Sequence, residues 1–219
     1  MKEIFEGVYK KGDKIYTINL TPGKSVYGEE LIKEKGIEYR FWNPWRSKPA
    51  AAIHKGLKVF PLKRGMKILY LGIASGTTAS HFSDIIGKSG VIYGVDIAER
   101  VLQKLLPIAE LRGNIIPILG NARKPESYEQ LILGKVDLVY EDVASEDQIP
   151  ILIRNSDKFL RKGGYAMIAI KSQSISSTKP VGQIYKECIS ELEKKFEILD
   201  KVELDPYEKF HLFVVLRLV

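Results

Sequence analysis

This 219-residue chain has a single thiol, Cys188. One cysteine closes no internal disulfide and builds no cysteine-based zinc site, both of which need partners, so it reads as a small apolar core residue. No apolar run approaches the roughly 20 residues of a membrane-spanning helix, and Met1-Lys2-Glu3-Ile4 opens no secretory signal. Internal repeats and low-complexity tracts are missing as well. These absences predict a cytoplasmic protein with no membrane partner and no metal. What remains is ordinary globular composition, 45% hydrophobic and 28% charged, in a chain long enough to bury a full core.

Charge is unevenly placed. The formal net charge is +7, yet residues 1–64 carry 14 basic and 7 acidic side chains while residues 65–219 carry 20 of each. A basic third beside a neutral remainder fits either a limited surface that meets a polyanion or a solvated lysine-rich face.

Hydrophobic patterning divides the chain near residue 50. Up to Asn43, short alternating segments such as Lys14-Ile15-Tyr16-Thr17-Ile18 are punctuated by Gly12-Asp13 and Pro22-Gly23, the pattern of a small β unit over residues 1–50. A helix over 49–57, opened by Pro49, would join it to the rest. Residues 51–219 read as an α/β domain. Strands are predicted at 67–71, 91–96, 115–119, 137–140, 165–170, 196–204 and 211–218, with helices over 98–112 and 148–160 among the crossovers. The last two strands are too close for a crossover. A mostly parallel seven-stranded sheet with one antiparallel strand at its end is therefore expected.

The loop after the first of these strands, Gly72-Ile73-Ala74-Ser75-Gly76-Thr77-Thr78, sets small residues where open α/β sheets bind ligands. Gly72, Ala74 and Gly76 would let a ligand approach the backbone. A dinucleotide fingerprint fails, because Ala74 and Thr77 stand where glycines would be. Asp96 ends the second strand, 24 residues after Gly72, where a carboxylate can hold ribose hydroxyls. Loop and carboxylate suit an adenosine-containing ligand without a pyrophosphate, of which S-adenosyl-L-methionine is the commonest. A nicotinamide enzyme and a plain structural turn remain open on spacing alone.

Two further strand tips, Gly120-Asn121-Ala122 and Glu141-Asp142-Val143-Ala144-Ser145, should converge on the same cleft. Asn121 could equally be a turn residue and Asp142 a helix cap before Gln148. Lys171 ends the fifth strand, which puts an ammonium near Asp142, unless it simply reaches out to solvent. His211 opens the last strand.

Several of these segments together resemble one family. Arg40-Phe41-Trp42-Asn43-Pro44-Trp45-Arg46-Ser47-Lys48, the glycine loop, Asn114-Ile115-Ile116-Pro117, Tyr140-Glu141-Asp142-Val143-Ala144, Ile168-Ala169-Ile170-Lys171 and Pro206-Tyr207-Glu208-Lys209 are similar, in the same order, to fibrillarin. The resemblance implies a Rossmann-like class I methyltransferase fold. It also implies an S-adenosylmethionine-dependent RNA ribose 2′-O-methyltransferase of box C/D ribonucleoproteins, acting in rRNA and tRNA processing. Lacking a glycine- and arginine-rich arm, the chain looks like the archaeal form. A tetrad of Lys48, Asp142, Lys171 and His211 is implied for catalysis. For the cofactor, the resemblance implies Thr77 and Thr78 at the methionine end, Asp96 and Ile97 at the ribose and adenine, Asn121 and Ala122 at the base, and Asp142, Val143, Ala144 and Ser145 beneath the sulfonium. Five positions depart from the family pattern: Asp96 and Ile97 stand for Glu and an aromatic, Asn121 for Asp, Ser145 for Gln, and Phe210 for Asp.

The chemistry asked of these residues is mainly positioning. A sulfonium methyl is already electrophilic, so the protein must hold a ribose hydroxyl in line with it and ease loss of the proton. Lys171 would help remove that proton, Asp142 would orient lysine and hydroxyl, and Lys48 and His211 would place ribose and phosphate. Arg40, Arg46, Lys48, Lys55, Lys58, Lys63 and Arg64 would contact phosphates without reading sequence. By the resemblance, specificity comes from a box C/D guide RNA paired to the target RNA. The implied protein partners are a Nop-domain scaffold and a kink-turn-binding ribosomal-protein-like subunit. Two other functions remain: a catalytically silent docking subunit of such a particle, and a stand-alone methyltransferase acting on another nucleic acid or on protein glutamine.

Overall fold

A computed structural model describes all residues, 1–219. The N-terminal part is an antiparallel sheet of β1 (Lys2–Phe5), β2 (Val8–Lys11), β3 (Lys14–Ile18), β4 (Leu31–Glu34) and β5 (Ile37–Phe41), in the order β1-β2-β3-β5-β4. Helix α1 (Lys48–His54) follows, with a proline in its first turn as expected.

The larger unit alternates β6 (Lys67–Leu71), α2 (Thr77–Ile86), β7 (Val91–Asp96), α3 (Glu99–Arg112), β8 (Ile115–Leu119), a 3₁₀ turn (Pro125–Leu131), β9 (Val136–Glu141), α4 (Gln148–Phe159) and β10 (Leu160–Lys171). After α5 (Ser172–Ile175) and α6 (Val181–Leu192), the hairpin β11 (Phe196–Glu203) and β12 (His211–Leu218) completes it. The sheet order is β11-β12-β10-β9-β6-β7-β8, a Rossmann-like arrangement parallel except for β12. In β6 every residue after Lys67 is at most 2% exposed, as a central strand covered on both faces requires.

One expectation fails here. The antiparallel strand is not terminal, because β12 lies between β10 and β11. Its run Leu212-Phe213-Val214-Val215-Leu216 is buried throughout, whereas β11 carries Glu197, Asp200, Lys201 and Glu203. The apolar strand takes the doubly covered slot and the charged one guards the edge.

The two sheets share a core. Val8, Ile15 and Trp42 belong to the same cluster as Ile68, Tyr70 and Phe82, while Leu69, Leu71, Leu152 and Ile184 form a second cluster on the other face of the large sheet. Charge is buried in the seam between the sheets. Arg40 is 0% exposed and pairs with Glu29 at 2.6 Å and Asp84 at 2.8 Å, and Arg112 reaches Asp84 from α3. Arg40 is therefore no phosphate ligand, because β5 turns it inward. Lys63 and Arg64 precede β6 and stand at its amino end, the opposite edge from the predicted cleft, so they leave the expected basic cluster too.

Candidate active site

All four strand tips named from the sequence meet at one cleft of about 300 Å³. Gly72, Ala74, Asp96, Ile97, Asn121, Ala122, Asp142, Val143, Ala144, Ser145 and Lys171 line it. Gly72 is required by contact, since at φ +77° a β-carbon would lie 2.7 Å from the Asp142 carbonyl oxygen. Asp96 receives the amides of Ala74 at 2.9 Å and Ala98 at 3.0 Å, which ties the glycine loop to the end of β7. Each carboxylate oxygen keeps a lone pair for a sugar hydroxyl. Ile97 is 68% exposed at the rim, an apolar face available to a purine. Asn121 makes the turn allowed for above, accepting the Arg123 amide at 3.0 Å, and keeps its NH₂ and a second lone pair. These donors and the glycine cradle fit an adenosine-bearing ligand.

Gly76, Thr77 and Thr78 are not among the lining residues. Gly76 starts α2 at φ +88°, and a β-carbon there would sit 2.5 Å from Leu105, so this glycine lets α2 pack on α3. The Thr78 hydroxyl meets Ser47 Oγ at 2.9 Å, and Ser47 in turn accepts the Trp42 indole N–H at 2.9 Å. This chain of bonds fixes the start of α1, and with it Lys48.

Lys48 Nζ and Lys171 Nζ lie 3.2 and 3.0 Å from the Asp142 carboxylate, and these three side chains are only 14–16% exposed. Asp142 is thus an ion-pair hub, and the residue at the N-cap of α4 is Asp147 instead. The antiparallel register sets His211 directly opposite Lys171. Burial lowers the His211 pKa, and the Lys48 and Lys171 cations push the same way against the Lys209 carbonyl. The imidazole is therefore neutral near pH 7. Its Nδ1 lies 2.8 Å from that carbonyl and must donate to it, which leaves the Nε2 lone pair free.

Three features escaped the sequence. Gln148, 1% exposed, clamps the Lys171 backbone, accepting its N–H at 2.9 Å and donating to its carbonyl at 3.2 Å. A glutamine at a helix start carries no signal of that role. Arg123 lines the cleft, bound to Asp147 and, at 2.7 Å, to the Ser145 hydroxyl, which is thereby committed to the protein. Glu141 is fully buried, and neither carboxyl oxygen has a hydrogen-bond partner. Burial, reinforced by Asp142 and Asp147, raises its pKa well above the carboxylate range.

The sequence and fold can now be set beside known proteins. A family model described as Fibrillarin matches residues 1–218. The fibrillarin-like rRNA/tRNA 2′-O-methyltransferase of Pyrococcus furiosus is 54% identical over 221 residues, covering 99% of this chain and 97% of that one. Aeropyrum pernix fibrillarin, solved with natively bound S-adenosyl-L-methionine, superposes with a TM-score of 0.87 at 50% identity, covering 95% of this chain and 92% of that one. A fibrillarin solved in a fibrillarin/Nop5p complex gives 0.90 at 40% identity, with both chains fully covered. Matched from end to end in sequence and in fold, this chain belongs to the fibrillarin family.

Proposed function

We propose that this chain is an S-adenosylmethionine-dependent RNA ribose 2′-O-methyltransferase that acts on rRNA and tRNA within a guide-RNA box C/D ribonucleoprotein. The observation that carries the reading is Asp142 paired with both Lys48 and Lys171 at the mouth of the glycine-loop cleft. The names of the similar proteins support the substrate class, and the bound ligand of the Aeropyrum pernix protein supports the donor.

Gly72, Ala74, Asp96, Ile97, Asn121 and the segment from Asp142 to Ser145 would hold the donor, with Gly76, Thr77 and Thr78 shaping the loop from behind. When bound, S-adenosylmethionine supplies an electrophilic methyl group. The protein's share is to orient the ribose and manage one proton. Asp142 orients the hydroxyl and both lysines. Lys171 stabilises negative charge as it develops on the 2′-oxygen. The proton acceptor is reassigned from Lys171, whose Nζ is tied to Asp142, to the free Nε2 lone pair of neutral His211, and Lys48 holds the neighbouring phosphate.

The fibrillarin/Nop5p complex supports a Nop-domain scaffold as partner. The guide RNA and a kink-turn-binding subunit complete the particle in this reading. Within it, residues 1–50 form the basic β unit that supplies Lys48, and residues 51–219 form the methyltransferase domain.

Transfer of labelled methyl to guide-paired RNA by the reconstituted particle tests the reading. Wild type should methylate one ribose. Lys171→Ala should lose transfer while binding S-adenosylmethionine nearly as well. An assembled wild-type particle that binds the donor but transfers nothing would make this a silent docking subunit, and transfer without guide RNA would make it a stand-alone enzyme.

A further inference from the structure

The chain has 21 aromatic side chains, and only Trp45 and Phe210 are exposed, at 62% and 50%. Both flank the tetrad. Trp45 lies three residues before Lys48, on a turn in which its amide donates to Asn43 Oδ1 at 2.9 Å. Its ring packs edge-on with that of Tyr207, centroids 4.8 Å apart, and the next residue, Glu208, comes within 4.0 Å of Lys48. Phe210 immediately precedes His211.

Phe210 is held against its own preference. Its φ of +61° is a left-handed conformation that bulky side chains rarely adopt. The turn is pinned by Ser172, the residue after Lys171, whose amide and hydroxyl both donate to the Phe210 carbonyl, at 3.1 and 3.0 Å. A ring that strains the backbone and stays half in solvent does little for folding. Strain of this kind collects at functional sites. Each exposed aromatic also has an exposed cation beside it in the chain, Arg46 and Lys209; neither is in an ion pair, and Arg46 lies over the Tyr27 ring at 5.2 Å with its charge still facing solvent. Aromatic faces among cations suit nucleobases joined by phosphates, and suit an apolar protein groove poorly.

We infer that Trp45 and Phe210 are positioning residues that stack on nucleobases bordering the methylated ribose. The inference rests on the function proposed above and deepens it. The tetrad would grip sugar and phosphate, which every nucleotide shares, while the two rings fix which ribose lies under Asp142. Because every base has a π-face, such stacking tolerates any target sequence.

The test uses the assembled particle with 5-fluorotryptophan in this chain alone. Trp42 is 0% exposed and gives an internal reference resonance, and Trp45 reports contact. The Trp45 resonance should shift when target RNA is added and not when the protein partners bind. Trp45→Ala and Phe210→Ala should each raise the KM for target RNA about tenfold or more, with a smaller change in kcat and unchanged donor affinity. Trp45→Phe and Phe210→Tyr should recover most of the loss. Phe210→Gly separates ring from backbone: glycine relaxes the positive φ, so thermal stability should hold or rise while KM still increases. A Trp45 shift caused by the scaffold protein alone, or wild-type KM in both alanine variants, would overturn the inference. If the wild-type particle transfers no methyl, the proposed function fails, and an RNA-induced Trp45 shift would still support the stacking contact.

Discussion

The seam between the sheets and the mouth of the cleft are built from the same parts. In the seam, Asp84 lies between Arg40 and Arg112 with His81 beside it; at the cleft, Asp142 lies between Lys48 and Lys171 with His211 beside it. The difference is in what each leaves unsatisfied. The seam side chains are 0% exposed, and Asp84 also accepts the Thr17 hydroxyl at 2.7 Å and the Leu20 amide at 2.9 Å. Both nitrogens of His81 are bonded, to Thr17 and Tyr27, and its ring stacks on Trp42. Planar guanidinium forks suit such near-saturation, in which Arg112 Nη1 is the one seam nitrogen left without a partner. The cleft uses lysines, point charges with donors to spare, and its histidine keeps a free lone pair. A cluster sealed from solvent and nearly saturated fastens, and a partly exposed one facing a cleft has valences left for substrate.

The comparison can be broken most decisively at its two carboxylates. Asp142→Asn should lower methyl transfer by about 10²- to 10⁴-fold, measured on the reconstituted particle, with only a modest change in unfolding midpoint. Asp84→Asn should do the reverse. Breaking a buried pair costs about 3–5 kcal/mol, so urea unfolding should shift strongly while transfer per folded molecule survives. Loss of transfer at wild-type stability in Asp84→Asn would erase the distinction.

A gentler test sharpens it through the histidines. Burial, helped by nearby cations, lowers the pKa of both His81 and His211. By NMR, His211 should titrate below pH 6.5, and Lys48→Met should move its midpoint up by removing one cation. His81 should stay neutral until the protein unfolds. Below about pH 6.5 the unfolded chain binds protons that the folded histidines refuse, so stability should decline as pH falls through that region.

The smallest effect is expected at Glu141, whose pKa is raised in the fold. Above the ordinary carboxylate pKa the unfolded chain releases a proton that folded Glu141 keeps, so this group favours folding at low pH and that contribution fades as pH rises. Glu141→Gln should melt slightly higher than wild type at pH 8, and the difference should vanish near pH 4. A lower melting temperature at pH 8 would mean that the carboxyl has a partner when the protein is folded.

Much of the fold is legible because strands and crossover helices are local patterns. The apolar runs from 67–71 to 211–218 lie where expected, within a residue or two except that β10 begins earlier, at Leu160. The slot of β12 was not legible, since a hairpin can add on either side of its partner and only the burial of both candidates decides. In the site, Gly72 and Asp96 could be read from spacing. Gly76 looked the same in sequence, yet it answers to Leu105 on a different helix. Lys48 carried no local signal beyond family resemblance, because Trp42, Ser47 and Thr78 aim it.

Sequence alone determined the alternation of strands and helices, the glycine loop with its carboxylate, and the excess of positive charge in the first third. Each is a property of neighbours along the chain. Tertiary structure alone decided which charges face the cleft and which fasten the seam: Arg40 meets its aspartate 44 residues away and Lys48 meets its own 94 residues away. Whether a cation ends in a sealed seam or at an open cleft depends on what the fold packs around it, because burial and pairing are made by residues that the chain keeps far apart.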